Sequence, residues 1–178
     1  MGAPEWYALF EWERDGASRY AVIKAIPAVT SKGAAAQEYE TVLQKALADG
    51  NDYVRCEAFK RWGQLQNERA AAVLAQQIES LLSPKALRTL DNPNNLLCEA
   101  VSAAKSVPSN DLIQSLERVL KEAEGGANND ATVLATEALI NIGKRNGWKH
   151  VGRALTTAQQ LGGRPKKLTD SAPRSATR

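Results

Sequence analysis

Three glutamates, Glu57, Glu99 and Glu137, follow one another at spacings of 42 and 38 residues. Each is followed by an alanine (Ala58, Ala100, Ala138) and then by Phe59, Val101 or Leu139. On one shared face they would form an acidic column suited to a basic peptide. The alternative is an ordinary solvated helix face, with Arg61 four residues after Glu57 as its local partner. Cys56 and Cys98 directly precede the first two glutamates. A disulfide needs Cα atoms within about 7 Å, and packed helices sit about 8–10 Å apart, so two small buried thiols are expected. His150 is the only histidine, too few ligands for a Cys/His zinc site and a poor basis for a Ser or Cys triad. The chain carries no Gly-rich phosphate loop, no HExxH and no nucleophile elbow. A chain without cofactor, metal or catalytic residues is expected.

The second chemical feature is charge. Residues 1–142 hold 14 Lys/Arg and 19 Asp/Glu, whereas residues 143–178 hold 9 Lys/Arg and 1 Asp/Glu. Lys144, Arg145, Lys149, His150 and Arg153 cluster around one turn and one helix, and Arg164, Lys166 and Lys167 follow. A basic helix beside a basic arm can neutralise phosphates and release counterions, or hold another acidic partner. The alternative is a solubilising cap with an inert tail.

These groups need elements to position them. Aromatics are 6% of 178 residues and alanine is plentiful, which favours helix over strand. Val54, Ala58, Trp62 and Leu65 make a helical apolar stripe with Trp62 in a core position. The segments after Asn95 and Val133 repeat the pattern. Each has a companion helix: 33–49, 69–82 and 109–123, the last opened by Ser109 as N-cap. A final helix stripes Trp148, Val151, Leu155, Ala158 and Leu161 before Gly162-Gly163. Pro4 to Glu13 reads as an aromatic-rich helix whose Trp6, Tyr7, Phe10 and Trp12 cap the open end or form an interface, and Ala17 to Ile26 as another. Ser83 to Pro93 reads as an insertion with one helical turn, and Glu124 to Asp130 as a loop. Residues 1–161 form one helical-repeat domain and residues 162–178 a disordered basic tail. Helix pairs recurring every ~35–45 residues mark an all-α, right-handed α-solenoid of about four pairs with a C-terminal capping helix. No signal peptide or membrane span is read, so a cytoplasmic location is expected.

The stretch TVLQKALADGNDYVRCEAFKRWGQL, Thr41 to Leu65, resembles a HEAT repeat. Leu43 and Leu47 match the first helix of that family, Asp49 and Gly50 its turn, and Val54-Arg55, Ala58 and Gly63 its second helix; Trp62 replaces a leucine. The resemblance implies that Asp49 and Arg55 support a polar ladder between repeats. Leu97 and Ala135 stand at the Arg55 position in the next units, so the ladder stops after one rung. It also implies a concave face lined by second helices, binding a protein partner through Arg55, Glu57, Arg61, Glu99 and Glu137. A nucleic-acid binder using the basic end is the rival expectation. One HEAT-like family, the alkylpurine DNA glycosylases, acts on damaged DNA in a cleft of aromatics and an Asp. This chain is similar to it only in its helical repeats and basic patch.

Overall fold

The computed structural model describes residues 15–25, 34–122 and 129–160. Every regular element among them is helical: α1 (Gly16–Ala25), α2 (Ala34–Leu47), α3 (Asp52–Leu65), α4 (Glu68–Leu81), α5 (Pro84–Thr89), α6 (Pro93–Lys105), α7 (Ile113–Glu122), α8 (Asn129–Asn146) and α9 (Trp148–Gln160). The expected helix over Pro4 to Glu13, with its aromatic cap, lies outside the described residues. So do Leu161, the basic tail, and residues 123–128 of the expected loop.

Local chemistry sets the boundaries. Asn51 caps α3, its side chain accepting from the Tyr53 amide at 2.9 Å. Asp52 follows in the first turn, where a carboxylate meets the positive end of the helix dipole. Asn67 caps α4 by accepting from the Ala70 amide at 2.7 Å. Between them Gln66 takes a left-handed φ of 49°, which lets α4 begin with only Gln66 and Asn67 separating it from α3. Ser83 caps α5 and Pro84 occupies its first turn, as does Pro93 in α6, where a missing N–H costs nothing. The insertion thus holds a helix of 6 residues. Ser109 does act as a cap, but the turn it starts is a 3-10 helix, Asn110–Leu112, that leads into α7. Asn129 and Asp130, expected in the loop, already belong to α8, with Asp130 in its first turn. The α8–α9 corner turns on Gly147 at φ 100°, a conformation that glycine adopts without a Cβ penalty.

Helices α1, α3, α6 and α8 form a row in which each packs on the next. On its inner side α2 packs on α3, α4 on α6, and α7 and α9 on α8; α4 also meets α7, and α7 meets α9. The core runs between these two layers. Trp62, Tyr39, Phe59, Leu43, Leu74, Ile78, Leu96 and Leu116 are fully buried in it, so the Trp62 expectation holds. Burying each such side chain contributes on the order of 1.5–3 kcal/mol, against the entropy of ordering it. Small residues bring the row close. A Cβ added to Gly63 would lie 2.9 Å from the Ala103 carbonyl oxygen and 3.2 Å from Ala103 Cβ, so α3 and α6 touch there with no side chain between them.

Candidate functional site

The three register-matched glutamates stand on three successive helices of the row, Glu57 on α3, Glu99 on α6 and Glu137 on α8. They are not equivalent in their surroundings. Glu57 is buried and accepts from Arg61 Nε at 3.0 Å. That is the i,i+4 pair the spacing anticipates. Arg61 also donates through Nη2 to the Lys24 carbonyl at 2.8 Å, closing the last turn of α1 against α3. Glu137 accepts from Lys105 Nζ at 2.8 Å, which ties α8 to α6. Glu99 is half-buried near Cys56. Much of the acidic column is therefore neutralised by Arg61 and Lys105.

Arg55 stands apart. It shares its side of α3 with Phe59 and Trp62, four and seven residues on, and lines a cleft of about 220 Å³ with Leu47, Ser80, Lys85 and Leu96. It pairs with Asp52, and its Nε is buried with no hydrogen-bond partner. Asp49, its expected ladder companion, pairs instead with Arg19 of α1, which donates from Nε at 2.6 Å and Nη2 at 2.8 Å. Asp49 also accepts the Asn51 amide at 2.8 Å. Burial alone would raise the Asp49 carboxyl, but the Arg19 fork and the amide outweigh it and hold it below the usual range. The turn is thus fixed by two separate ion pairs, one reaching back to α1 and one within α3.

Neither cysteine is in a disulfide, and both are half-buried. Burial, followed by the charge of Glu99, pushes the Cys56 thiol up to about 11, so at neutral pH it stays protonated and unreactive. Among the described residues no three His, Cys, Asp or Glu side chains gather as metal ligands would, and no helix is long and apolar enough to cross a membrane.

At the other end of the row, Lys144 and Arg145 finish α8, and Lys149 and His150 begin α9; all four are exposed. The corner that carries them is anchored by Asn146, which donates to the Pro108 carbonyl at 2.9 Å. Arg153 is directed elsewhere, to the buried Glu117 at 3.1 Å, which also takes Lys121 at 3.2 Å. The Arg153 contact first, then Lys121, hold the Glu117 carboxyl below its ordinary value despite its burial. Arg164, Lys166 and Lys167 lie outside the described residues.

The outward stripe of α3 adds residues that the sequence expectations do not include. Tyr53 is 76% exposed, a large side chain left in water. Lys60 and Gln64, seven and eleven residues on, are exposed on the same side. The periodicity that marks the core also marks this opposite face, and Tyr53 is the residue there that solvation alone does not favour. Neither protein-family models, nor curated proteins, nor solved structures give a match to this chain.

Proposed function

We propose that this chain is a non-enzymatic HEAT-like repeat scaffold that binds a protein partner. In this reading α2 with α3, α4 with α6, and α7 with α8 are successive pairs of a right-handed solenoid, and α9 is the capping helix. The row of second helices, α3, α6 and α8, provides the concave face. The observation that carries the reading is the row itself: each helix packs on the next, while Tyr53 and Lys60 stay exposed along its outer side. Glu99 and Glu137 extend the face, and Glu57 with Arg61 close its end against α1. Arg55 is left out of the face because its side chain lines the cleft on the other side of α3. A tyrosine beside polar neighbours suits an interface, where its ring adds contact area at small entropic cost.

The test is site-specific photocrosslinking. A benzophenone side chain at Tyr53, or at Ser102, which is exposed on α6, should trap one discrete polypeptide in the source cells, and Lys60→Glu should weaken that product. The same probe at Gln76, exposed on α4 of the other layer, should trap none. Equal products from both layers, or none from the row, would overturn the scaffold reading.

A second reading rests on the exposed cations at the α8–α9 corner. Lys144, Arg145, Lys149 and His150 would meet phosphates of a nucleic acid. Fluorescence anisotropy with random duplex DNA and single-stranded RNA at two salt concentrations decides it. Binding that falls steeply with salt, and is removed by reversing Lys144, Arg145 and Lys149 to Glu, would place function there. No binding at low salt would sink it.

A further inference from the structure

The α8–α9 corner holds its cations in fixed places. The Gly147 amide donates to the Gly143 carbonyl at 3.0 Å. Asn146 Nδ2 donates to the Pro108 carbonyl at 2.9 Å and to Asn110 Oδ1 at 3.3 Å. Trp148 lies so close to Gly143 that a Cβ there would sit 2.6 Å from Trp148 Cε3. The last turn of α8 and the first turn of α9 are thereby locked together, with Lys144 and Arg145 on one and Lys149 and His150 on the other.

No carboxylate offsets these charges. Residues 143–160 contain no Asp or Glu. Among the described residues, Arg19, Arg61, Lys105, Arg118 and Arg153 each take a carboxylate, whereas Lys144, Arg145 and Lys149 take none. Asp111, the carboxylate of the 3-10 turn that Asn146 contacts, accepts the Ser109 hydroxyl at 3.3 Å. Like charges held together repel, and an anion relieves the repulsion. The surroundings narrow the kind of anion. Residues 144–150 carry no aliphatic side chain, and their one aromatic, Trp148, is half-buried. A protein partner would find no apolar core for an interface here, and a membrane no side chain to insert. A single strand would find no exposed ring on which to stack its bases. A duplex backbone needs none of these, because its phosphates gain from counterion release alone.

Resting on the nucleic-acid reading of this corner, we infer that its partner is the phosphate backbone of a duplex, met without regard to sequence. Lys144, Arg145 and Lys149 neutralise phosphates, and His150 donates a ring N–H to a phosphate oxygen. Each cation releases about 0.9 counterion from a duplex and about 0.7 from a single strand. For three cations and equal affinity at about 1 M salt, that difference favours the duplex by about sixfold at about 50 mM.

Fluorescence anisotropy on the full chain tests this with two short DNA duplexes of equal length, one A·T-rich and one G·C-rich, and with one strand of each alone. The duplexes should bind within about twofold of each other and about sixfold tighter than the strands. Lys144→Gln, Arg145→Gln and Lys149→Gln together should reduce the slope of log K against log salt on the duplex by about 2.7, and each alone by about 0.9. Circular dichroism reports that the variants fold. Strands that bind as tightly as the duplexes, or a tenfold preference between the duplexes, would overturn this inference and leave the nucleic-acid reading standing. Poly-glutamate of matched charge binding as tightly as the duplexes would give the corner to an acidic protein. An unchanged slope in the folded variants, or no binding to any probe at low salt, would overturn the inference and the reading together.

Discussion

Replacing Asp49 by asparagine tests how the turn between α2 and α3 is held. Asp49 is 6% exposed and receives two donors from Arg19 and one from the Asn51 amide. Asp49→Asn keeps the shape but removes the charge, and its NH2 group faces the Arg19 fork. Losing one member of a fully buried pair costs about 3–5 kcal/mol. Arg19 is 20% exposed, so water can take up part of its lost contacts, and the expected loss falls to about 2–3 kcal/mol. For a chain of this size that is a drop of ~5–10 °C in melting temperature. Urea unfolding gives the free energy directly, with unchanged m if the native state is preserved. The pH dependence is the sharper check. The folded carboxyl sits below its ordinary value of 3.8, so its stabilisation is fully present above that value. It fades as pH falls through the lower folded pKa, because protonation then removes the charge in both states. The gap between the two proteins should be constant near neutral pH and close in acid. A loss below ~0.5 kcal/mol, or a gap that persists unchanged into strong acid, would refute the Arg19–Asp49 clamp.

Two further outcomes follow from packing and burial. Gly63→Val should destabilise by at least ~2–3 kcal/mol in urea unfolding, since its side chain meets the Ala103 backbone at a distance no real Cβ tolerates; a neutral effect would mean α3 and α6 do not touch there. In a Cys98→Ser background, Cys56 should react with a disulfide reagent at pH 8 about 100-fold more slowly in the folded chain than in urea, because its thiol sits at about 11 rather than 9.0; equal rates would show that the thiol is accessible and ordinary.

The sequence carried the helices and their order well. The repeated Glu-Ala-apolar triplet located α3, α6 and α8, and these three are neighbours in one row. The Glu57–Arg61 pair was readable because both partners lie on one helix, where spacing is geometry. The Arg19–Asp49 and Lys105–Glu137 pairs were not, since their partners stand 30 and 32 residues apart on separate helices. Arg55 is harder to place from sequence: its spacing to Phe59 and Trp62 puts it on their side of α3, whereas the HEAT resemblance implies both a ladder rung and a place on the binding face. Tyr53 escaped notice because a single aromatic at a helix start reads as either face until its neighbours are placed. Ser83 to Pro93 reads from sequence as an insertion with one helical turn, but that this turn packs on α4 depends on contacts between separate helices that spacing does not report.

The attachment of α1 has a consequence for motion. Among the described residues, α1 is fixed to the row by Val22 and Ile23, with Tyr20 partly packed, and by two polar clamps, Arg19 to Asp49 and Arg61 to the Lys24 carbonyl. Helices α3 and α6 further along are held by several fully buried residues each, including Phe59, Trp62, Leu96 and Val101. Free energy of local opening scales with such buried contacts. Amide hydrogens of α1 should therefore exchange with solvent sooner than those of α3 and α6, through partial openings that leave the rest folded. Weakening either clamp should make that exchange faster still in α1 while leaving α3 and α6 unchanged.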